Sequence, residues 1–470
     1  MKPSNALKLS LWMYILFFFG TFAGSFGPSL LDLKDLFNAS LLETSNLFLV
    51  LGIAEGTGCL GSMVLLKFVD SNLVLVVCLL LQGTCLFLFA MTTHFIIACV
   101  ALGVTGIATA CSINCVVHQC NVAFPGPSAI IHGVFISSSV GSIVGPLIAQ
   151  PFLTDREGAC RNWTENNGFL NDRTFSIQRI NYSNGGFPLT SNISIPLTRN
   201  NESNQDYAVT ASKYALTNSS TIAQKSQVYI IYIIIGSFQL VALLGFIVLF
   251  ICERNSNSYE KNEENSSGYN NLEAGQNSNG RLKTIIFYVC LVPAYIPFGG
   301  LPFAYSGYLS VYGVESYLHL STQSMATMTS AFWMLFTLGR ILGTVLSLRM
   351  RQSVLIYTCL IGVLVASVAV LFLSEFGEVW LWIGSMAVGL FTGPLLAASL
   401  AWCRTCVTLT PVVTGICTFA NFTGMFLLQY LTGQVVGYFG VDWYLYFIIF
   451  LSLFELMLFV VLTVLGNYVK

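Results

Sequence analysis

The sequence predicts an all-α membrane protein of twelve transmembrane helices, arranged as two pseudo-symmetric halves of six. The prediction depends on composition, on twelve apolar stretches long enough to cross a bilayer, and on an internal repeat. Of the 470 residues, 55% are hydrophobic and 9% are charged, whereas soluble domains carry about 25% charged residues. This number of charged residues is too small to cover the surface of a water-soluble protein of this length. Lipid must therefore be a large part of the solvent around the chain.

Net charge and cysteine positions argue against a nucleic-acid-binding protein and against a disulfide-rich scaffold. The formal net charge of −1 provides no basic field for nucleic acid. Of the 14 cysteines, only Cys160 falls in the long outer polar stretch, and the other thirteen lie in or beside apolar segments. This is not a disulfide scaffold. We find no nucleotide-binding loop, metal-ligand cluster or nucleophile–base pattern, so we predict no enzyme.

Twelve apolar stretches follow one another along the chain. They are 9–31, 45–66, 73–93, 95–117, 128–152 and 228–252, then 284–312, 323–347, 353–373, 379–402, 411–436 and 443–466. The polar segment 253–282 is predicted to be a disordered linker between an N-terminal half, 1–252, and a C-terminal half, 283–470. A second polar segment, 153–227, separates helices 5 and 6. The first stretch is too long for a signal peptide and is retained as helix 1.

Basic residues and glycosylation acceptors predict the same orientation. With a cytoplasmic N-terminus, the basic residues at helix ends face inside, and only Lys34 lies on a short outer loop. Acceptors for N-glycosylation also lie on predicted outer loops; they are Asn38, Asn162, Asn181, Asn192, Asn201 and Asn218. We therefore predict a multi-pass glycoprotein of the plasma membrane with both termini in the cytoplasm.

The two halves share a short repeat at a constant offset of 282 residues. It pairs Leu60-Gly61-Ser62, Lys67 and Ser71 with Leu342-Gly343-Thr344, Arg349 and Ser353. Each copy ends a helix on the predicted cytoplasmic side, where a cation meets the helix dipole and the inner leaflet. Repeated halves are typical of membrane transporters.

These two loops resemble the signature of the major facilitator superfamily, Gly-x3-Asp-(Arg/Lys)-x-Gly-(Arg/Lys)-(Arg/Lys). The second copy, with Gly339-Arg340-x-x-Gly343 and Arg349-x-Arg351, is closer than the first, which retains Gly61, Lys67 and Asp70. The resemblance implies the major facilitator fold, in which two six-helix halves rock about a central site and give alternating access.

Three longer stretches extend the resemblance. They are Gly27-Pro28-Ser29-Leu30-Leu31-Asp32-Leu33, Gly145-Pro146-Leu147-Ile148-Ala149 and Ala401-Trp402. They are similar to the group that contains sodium-dependent glucose transporter 1 and major facilitator domain-containing protein 4. That resemblance implies a sugar substrate, with glucose the named one, and sodium as the coupling ion.

The sequence departs from this group at its intramembrane carboxylates. Positions that are acidic in the group correspond here to Ala110, Pro302 and Gly424. By this correspondence, Glu55 is the main carboxylate left inside the membrane. Sodium coupling, proton coupling and ion-independent facilitation therefore stay open, and no other cofactor is predicted.

Ionisable side chains inside the bilayer are costly and are functional candidates. Glu55, in the middle of helix 2 among glycines, is a candidate for coupling or gating, with a structural pair or polar cap as the alternative. Arg340, in the inner half of helix 8, is a candidate gate or loop anchor. His132 in helix 5 is either a pocket residue or a hydrogen-bonded packing residue.

Amides donate and accept hydrogen bonds at once, which suits a polyhydroxylated ligand, and aromatic rings offer stacking faces. Tyr305, Tyr308 and Tyr312 are expected on one face of helix 7, with an interfacial aromatic belt as the alternative. The prolines of helix 7 predict a break or a kink. The predicted substrate pocket consists of Asn114, His132, Gln239, Tyr305, Tyr308 and Asn421.

We therefore expect a monomeric carrier of a small polar solute, with a hexose favoured and the bilayer as its other partner. Two alternatives are a facilitator of a different small organic solute and a non-transporting receptor or scaffold on the same fold.

Overall fold

A computed structural model describes residues 3–124, 129–154, 226–256, 278–406 and 411–469, and these are helical apart from short turns. The α-helices are α1 (Pro3–Leu36), α2 (Leu41–Leu65), α3 (Ser71–Met91), α4 (Phe95–Ala123), α5 (Ala129–Ala149), α6 (Tyr229–Ser256), α7 (Ser278–Glu315), α8 (Thr322–Leu346), α9 (Gln352–Leu373), α10 (Glu378–Thr392), α11 (Leu395–Cys406), α12 (Pro411–Phe439) and α13 (Trp443–Val469). Short 3₁₀ turns follow α5 and α9.

Eleven spans in the described chain are long and apolar enough to cross a membrane, with α10 and α11 together forming one of them. The remaining predicted span, α12, is 29 residues long. It carries the amides of Asn421, Gln429 and Gln434. The predicted all-α membrane fold is confirmed.

The boundaries of the predicted linker are wrong. α6 and α7 extend into the predicted linker 253–282 from both sides, so that only 257–277 lie outside the described residues. The predicted span 379–402 is confirmed as part of one membrane span, Glu378–Cys406. Within that span α10 and α11 meet at Gly393 and Pro394. Proline lacks the backbone N–H that would continue the helical hydrogen bonds, so the ladder is interrupted at this point.

The predicted break in helix 7 is also wrong, because α7 runs without interruption through Pro293, Pro297 and Pro302. The glycines between these prolines serve close packing instead. A Cβ atom built at Gly300 would lie 2.6 Å from a side-chain carbon of Leu428 on α12. Packing against α12 therefore accounts for these glycines without a discontinuous helix.

The repeat extends well beyond the two loops. α2 and α8 begin 281 residues apart and end 281 residues apart, and α5 and α12 begin 282 apart. Helix contacts recur in the same way: α1 packs on α5 as α7 packs on α12, and α2 packs on α4 as α8 packs on α10. The predicted pseudo-symmetry of the two halves is confirmed.

Glycines produce the closest of these contacts. On α5, Cβ atoms at Gly141 and Gly145 would overlap the backbone carbonyl oxygens of Phe17 and Thr21 on α1. In the second half, Gly339 of α8 and Gly393, directly after α10, face the partner backbone in the same way. Small residues let membrane helices approach this closely.

The bundle has two ends. We call the end with Pro3 and Val469 the terminal face, and the end with the loops 37–40 and 316–321 the opposite face. Three contacts join the two halves at the opposite face. They are Lys34 Nζ with Glu315 Oε1 (3.2 Å), Gln434 Nε2 donating to Ser45 Oγ (2.8 Å), and Thr322 Oγ1 donating to the Thr154 carbonyl oxygen (2.8 Å). The structure is therefore closed at this face.

Candidate functional site

A small polar cavity lies inside the first half, among α1, α3, α4 and α6. It measures about 10 Å³, about the room that one water molecule needs. Its polar lining consists of the amides Gln82 and Gln239 and the hydroxyls of Thr105, Thr109 and Ser112. Gln82 Nε2 donates to Ser112 Oγ at 2.9 Å. The side-chain oxygens of both amides are buried without a hydrogen-bond partner in the described chain, so the cavity offers two unused acceptors.

Phe19 of α1 connects this cavity to the second half. Its ring lines the cavity and packs edge-on against the Phe422 ring of α12, with centroids 6.4 Å apart. Both residues lie near the middle of their helices. An aromatic pair therefore separates the polar cavity from the second half at the depth where a substrate would cross.

The amides of α12 face α7 on the other side of Phe422. Asn421 Nδ2 lies 3.9 Å from Met425 Sδ, and its amide group lies against Gly299 of α7. Gln429 Nε2 donates to the Phe303 carbonyl oxygen at 3.1 Å. Neither amide oxygen finds a partner among the described residues. The predicted pocket residue Asn421 thus lies at a helix contact with an open acceptor.

The tyrosines of α7 point in different directions. Tyr305 hydrogen-bonds Ser385 Oγ of α10 at 2.9 Å, while Tyr305 and Tyr312 both pack against Tyr444 of α13. Tyr308 instead packs against Phe48 of α2, with ring centroids 5.9 Å apart. Tyr305 therefore faces the interior of the second half and Tyr308 faces the first half, so the predicted common face is wrong for Tyr308.

Two further predicted pocket residues lie on α4 and α5. Asn114 Nδ2 donates to Ser62 Oγ at 2.6 Å and to the Cys59 carbonyl oxygen at 3.3 Å, which ties α4 to α2. His132 lies in α5, but its side chain is outside the described part of the chain. Gln239 is thus the predicted pocket residue that the structure places in the polar cavity.

The charged candidates lie at helix contacts. Glu55 is 1% exposed and faces α4, where a Cβ at Gly106 would lie 3.5 Å from its Cγ. Its Oε2 has no hydrogen-bond partner in the described ranges. Arg340 Nη1 donates to Ser139 Oγ of α5 at 3.0 Å, and its guanidinium lies 4.9 Å from the Phe336 ring centre. Arg340 therefore bridges the halves, as a gate would.

Asp32 has a structural role that sequence reasoning missed. It is 1% exposed, and its Oδ2 accepts hydrogen bonds from the Thr154 backbone N–H at 2.8 Å and from Ser226 Oγ at 3.1 Å. One carboxylate thus holds both ends of the long polar segment. Thr154 in turn accepts from Thr322 of the second half. The sequence contained an indication of this role, because Asp32 is an acidic residue directly after an apolar run.

Of the predicted glycosylation sites, Asn38 is exposed in the turn between α1 and α2, with φ 49°. Asn162, Asn181, Asn192, Asn201 and Asn218 lie outside the described residues. Glycosylation stays a prediction at all six.

No family model matches the sequence. Major facilitator superfamily domain-containing protein 4A of Xenopus tropicalis is 24% identical over 447 residues, which cover 91% of this chain and 85% of that protein. The human protein of that name is 29% identical over 136 residues, 29% of this chain and 26% of that protein.

Solved structures with the same fold include the nucleoside transporter NupG, with a TM-score of 0.58 and 11% identity over 99% of both chains. A bacterial homologue of the human lysosomal transporter Spinster, in an inward-facing and unoccupied conformation, matches with a TM-score of 0.60. It is 11% identical and covers 100% of this chain and 97% of its own.

Helix layout, repeated packing and these likenesses define a multi-pass membrane protein with the fold of the major facilitator transporters. Within that type, the sequence resembles major facilitator superfamily domain-containing protein 4A over most of its length. The predicted resemblance to that group is confirmed.

Proposed function

We propose that this transporter carries a small, uncharged, hydroxyl-rich solute, with a hexose such as glucose as the first candidate. The polar cavity supports the proposal. Its described lining combines amide and hydroxyl groups and includes no charged side chain. The free oxygens of Gln82 and Gln239 would accept hydrogen bonds from sugar hydroxyls, and Phe19 would contact the apolar face of the ring.

The cavity is too small for a hexose in this conformation, so binding requires the halves to move. The opposite face is closed by three contacts, and the Spinster homologue is described as inward-facing and unoccupied. We propose that access here is from the terminal face, and that rocking of the halves opens the cavity toward Phe19 and Phe422.

We also propose that the terminal face is cytoplasmic. Lys67, Arg349, Arg351 and Arg404 lie at this face, whereas Lys34 lies at the opposite face. This asymmetry follows the positive-inside rule. It would put Asn38 and the segment 155–225 outside, with the plasma membrane as the expected location.

The direct test is uptake of radiolabelled glucose by proteoliposomes that contain the purified protein, with and without a sodium or proton gradient. Saturable uptake that unlabelled glucose competes supports the proposal. No saturable uptake of any hexose would overturn the sugar assignment, and uptake independent of both gradients would overturn ion coupling alone.

A nucleoside is a second candidate because Phe19 and Phe422 would stack on a planar base, and NupG shares the fold. Labelled uridine in the same proteoliposomes tests this alternative. Saturable uridine uptake that glucose does not compete would favour the nucleoside over the hexose.

Replacing Gln239 by Leu is expected to lower the affinity for the hexose about fivefold, since one hydrogen bond to a buried ligand is worth about 1 kcal/mol and about 1.4 kcal/mol is tenfold in affinity. The measurement is initial uptake rate against substrate concentration. The matched control is Gln352→Leu, which removes an amide that bonds the Ser347 carbonyl oxygen away from the cavity. Equal uptake by the two variants would contradict a binding role for Gln239.

Glu55→Gln is expected to abolish accumulation against a gradient while exchange of internal for external substrate continues. The amide keeps the shape of the buried carboxyl but cannot gain or lose the charge that coupling needs. Glu43→Gln, at the exposed start of the same helix, is the matched control. Accumulation by Glu55→Gln at the control rate would show that Glu55 does not couple transport to an ion.

A further inference from the structure

An apolar groove of about 270 Å³ runs between α2 and α12, one helix from each half. α2 contributes one helical face from Leu49 to Leu60, and α12 contributes one from Phe419 to Leu427. Gly52 and Gly56 lie on the α2 face. The groove exists because these positions carry no side chain that would fill the space beside α12.

The groove has the length of one lipid leaflet. Leu49 and Leu60 are eleven residues apart, which is about 16 Å at 1.5 Å per residue. A bilayer's hydrocarbon core is about 30 Å thick, so one leaflet is about half of that. At the opposite face α2 and α12 are bonded through Ser45 and Gln434. Along α2, which runs from Leu41 at the opposite face to Leu65, the groove begins at Leu49 and ends at Leu60, so most of its length lies in the half toward the terminal face.

The rim of the groove faces the bilayer. Ile53 is 60% exposed and Leu60 is 52% exposed, both within a membrane-spanning helix, so they meet acyl chains. The Thr57 hydroxyl donates to the Ala54 carbonyl oxygen at 2.8 Å, whereas the Thr423 hydroxyl in the lining has no hydrogen-bond partner among the described residues. One open hydroxyl does not hold an ordered water, which needs several polar partners.

On the other side of the bundle, the corresponding contact between the halves is made by α5 and α8, and hydrogen bonds join these two helices at more than one depth. Between α5 and α8, Ser330 Oγ donates to the Ile143 carbonyl oxygen at 2.7 Å, and Arg340 donates to Ser139 closer to the terminal face. On the α5–α8 side these hydrogen bonds cross the interior of the contact. On the α2–α12 side the bond between Ser45 and Gln434 lies at the opposite face, and deeper in the membrane the two helices pack through Gly52 and Gly56 beside the groove.

We propose that one acyl chain of a phospholipid from the terminal-face leaflet occupies this groove and stabilises the present conformation. Length, apolar walls and an open rim toward the bilayer fit an acyl chain. Because the walls belong to different halves, the bound chain contacts both and favours the arrangement that leaves room for it. This proposal does not depend on the identity of the transported solute.

The test compares four purified proteins: wild type, Gly56→Leu, Leu427→Trp and Gly61→Leu. The first two substitutions fill the groove from opposite walls. A Cβ at Gly56 would lie 3.2 Å from the edge of the Phe419 ring, which can turn aside. Gly61 is the control on the same helix, since a Cβ there would have no neighbour within 4 Å. Palmitoyl-oleoyl phosphatidylcholine is the lipid probe.

Native mass spectrometry, after reconstitution with this lipid and detergent washing, counts retained lipids. Wild type and Gly61→Leu should retain one lipid more than either groove-filling variant. Added lipid should raise the apparent melting temperature of the wild type and of Gly61→Leu, but not that of Gly56→Leu or Leu427→Trp. Equal lipid retention and an equal melting response in all four proteins would overturn the proposal, as would the absence of any retained lipid on the wild type.

Discussion

Gly141→Leu is expected to prevent accumulation of folded protein. Any side chain at this position would overlap the carbonyl oxygen of Phe17 on α1. Backbone cannot turn aside as a side chain does, so α1 and α5 must separate. Overpacking a well-packed core costs about 1–3 kcal/mol even where side chains yield, and we expect at least about 3 kcal/mol here. The measurement is the monodisperse peak of a fluorescent fusion on size-exclusion chromatography.

Gly61→Leu is the control, because no atom lies within 4 Å of a Cβ at that position. Its peak should match that of the wild type. A normal peak and melting temperature for Gly141→Leu would show that α1 and α5 are farther apart in the membrane than in this structure. Gly141→Ala should give an intermediate result, since it adds only the Cβ atom.

Asp32→Ala is expected to destabilise the folded protein by about 3 kcal/mol, because it leaves the half-buried Thr154 backbone N–H without its carboxylate acceptor. The ends of the segment 155–225 would lose their common attachment at the same time. Unfolding is titrated with sodium dodecyl sulfate and monitored by intrinsic fluorescence. The loss of stability is measured as a lower detergent concentration at the midpoint of unfolding.

Asp35→Ala is the matched control, since Asp35 is exposed and lies three residues further along α1. Its midpoint should stay near that of the wild type. Asp32→Asn, which keeps one acceptor oxygen but loses the charge, should fall between the two. A midpoint for Asp32→Ala equal to that of Asp35→Ala would contradict the role of Asp32 in holding this segment.

Much of the fold was predictable because a bilayer imposes length and apolarity on each span. The start of α3 at Ser71 lies two residues from its predicted start, and α4 begins at the predicted residue 95. Errors occurred where packing outweighs local propensity. α7 stays continuous through three prolines, whereas a single Gly-Pro pair divides α10 from α11.

The candidate site was less predictable because the type of a residue does not reveal which neighbouring helix its side chain faces. Tyr305 and Tyr308 are three residues apart on one helix, yet one bonds α10 and the other packs on α2. Gln82 and Ser112 lie on different helices and form one wall of the cavity. That pairing depends on the rotation of α3 against α4, which no single-helix pattern contains.

By itself, the sequence determined a membrane protein with the major facilitator fold and its repeat. These follow from the length and apolarity of each span and from the spacing of residues along one chain. Only the tertiary structure decided which amide lines the polar cavity, which carboxylate holds the ends of the long polar segment, and that a groove runs beside the contact of α2 with α12. The physical reason is that each of these depends on how two or more helices are rotated and inclined against each other, which is set by the packing of the whole bundle.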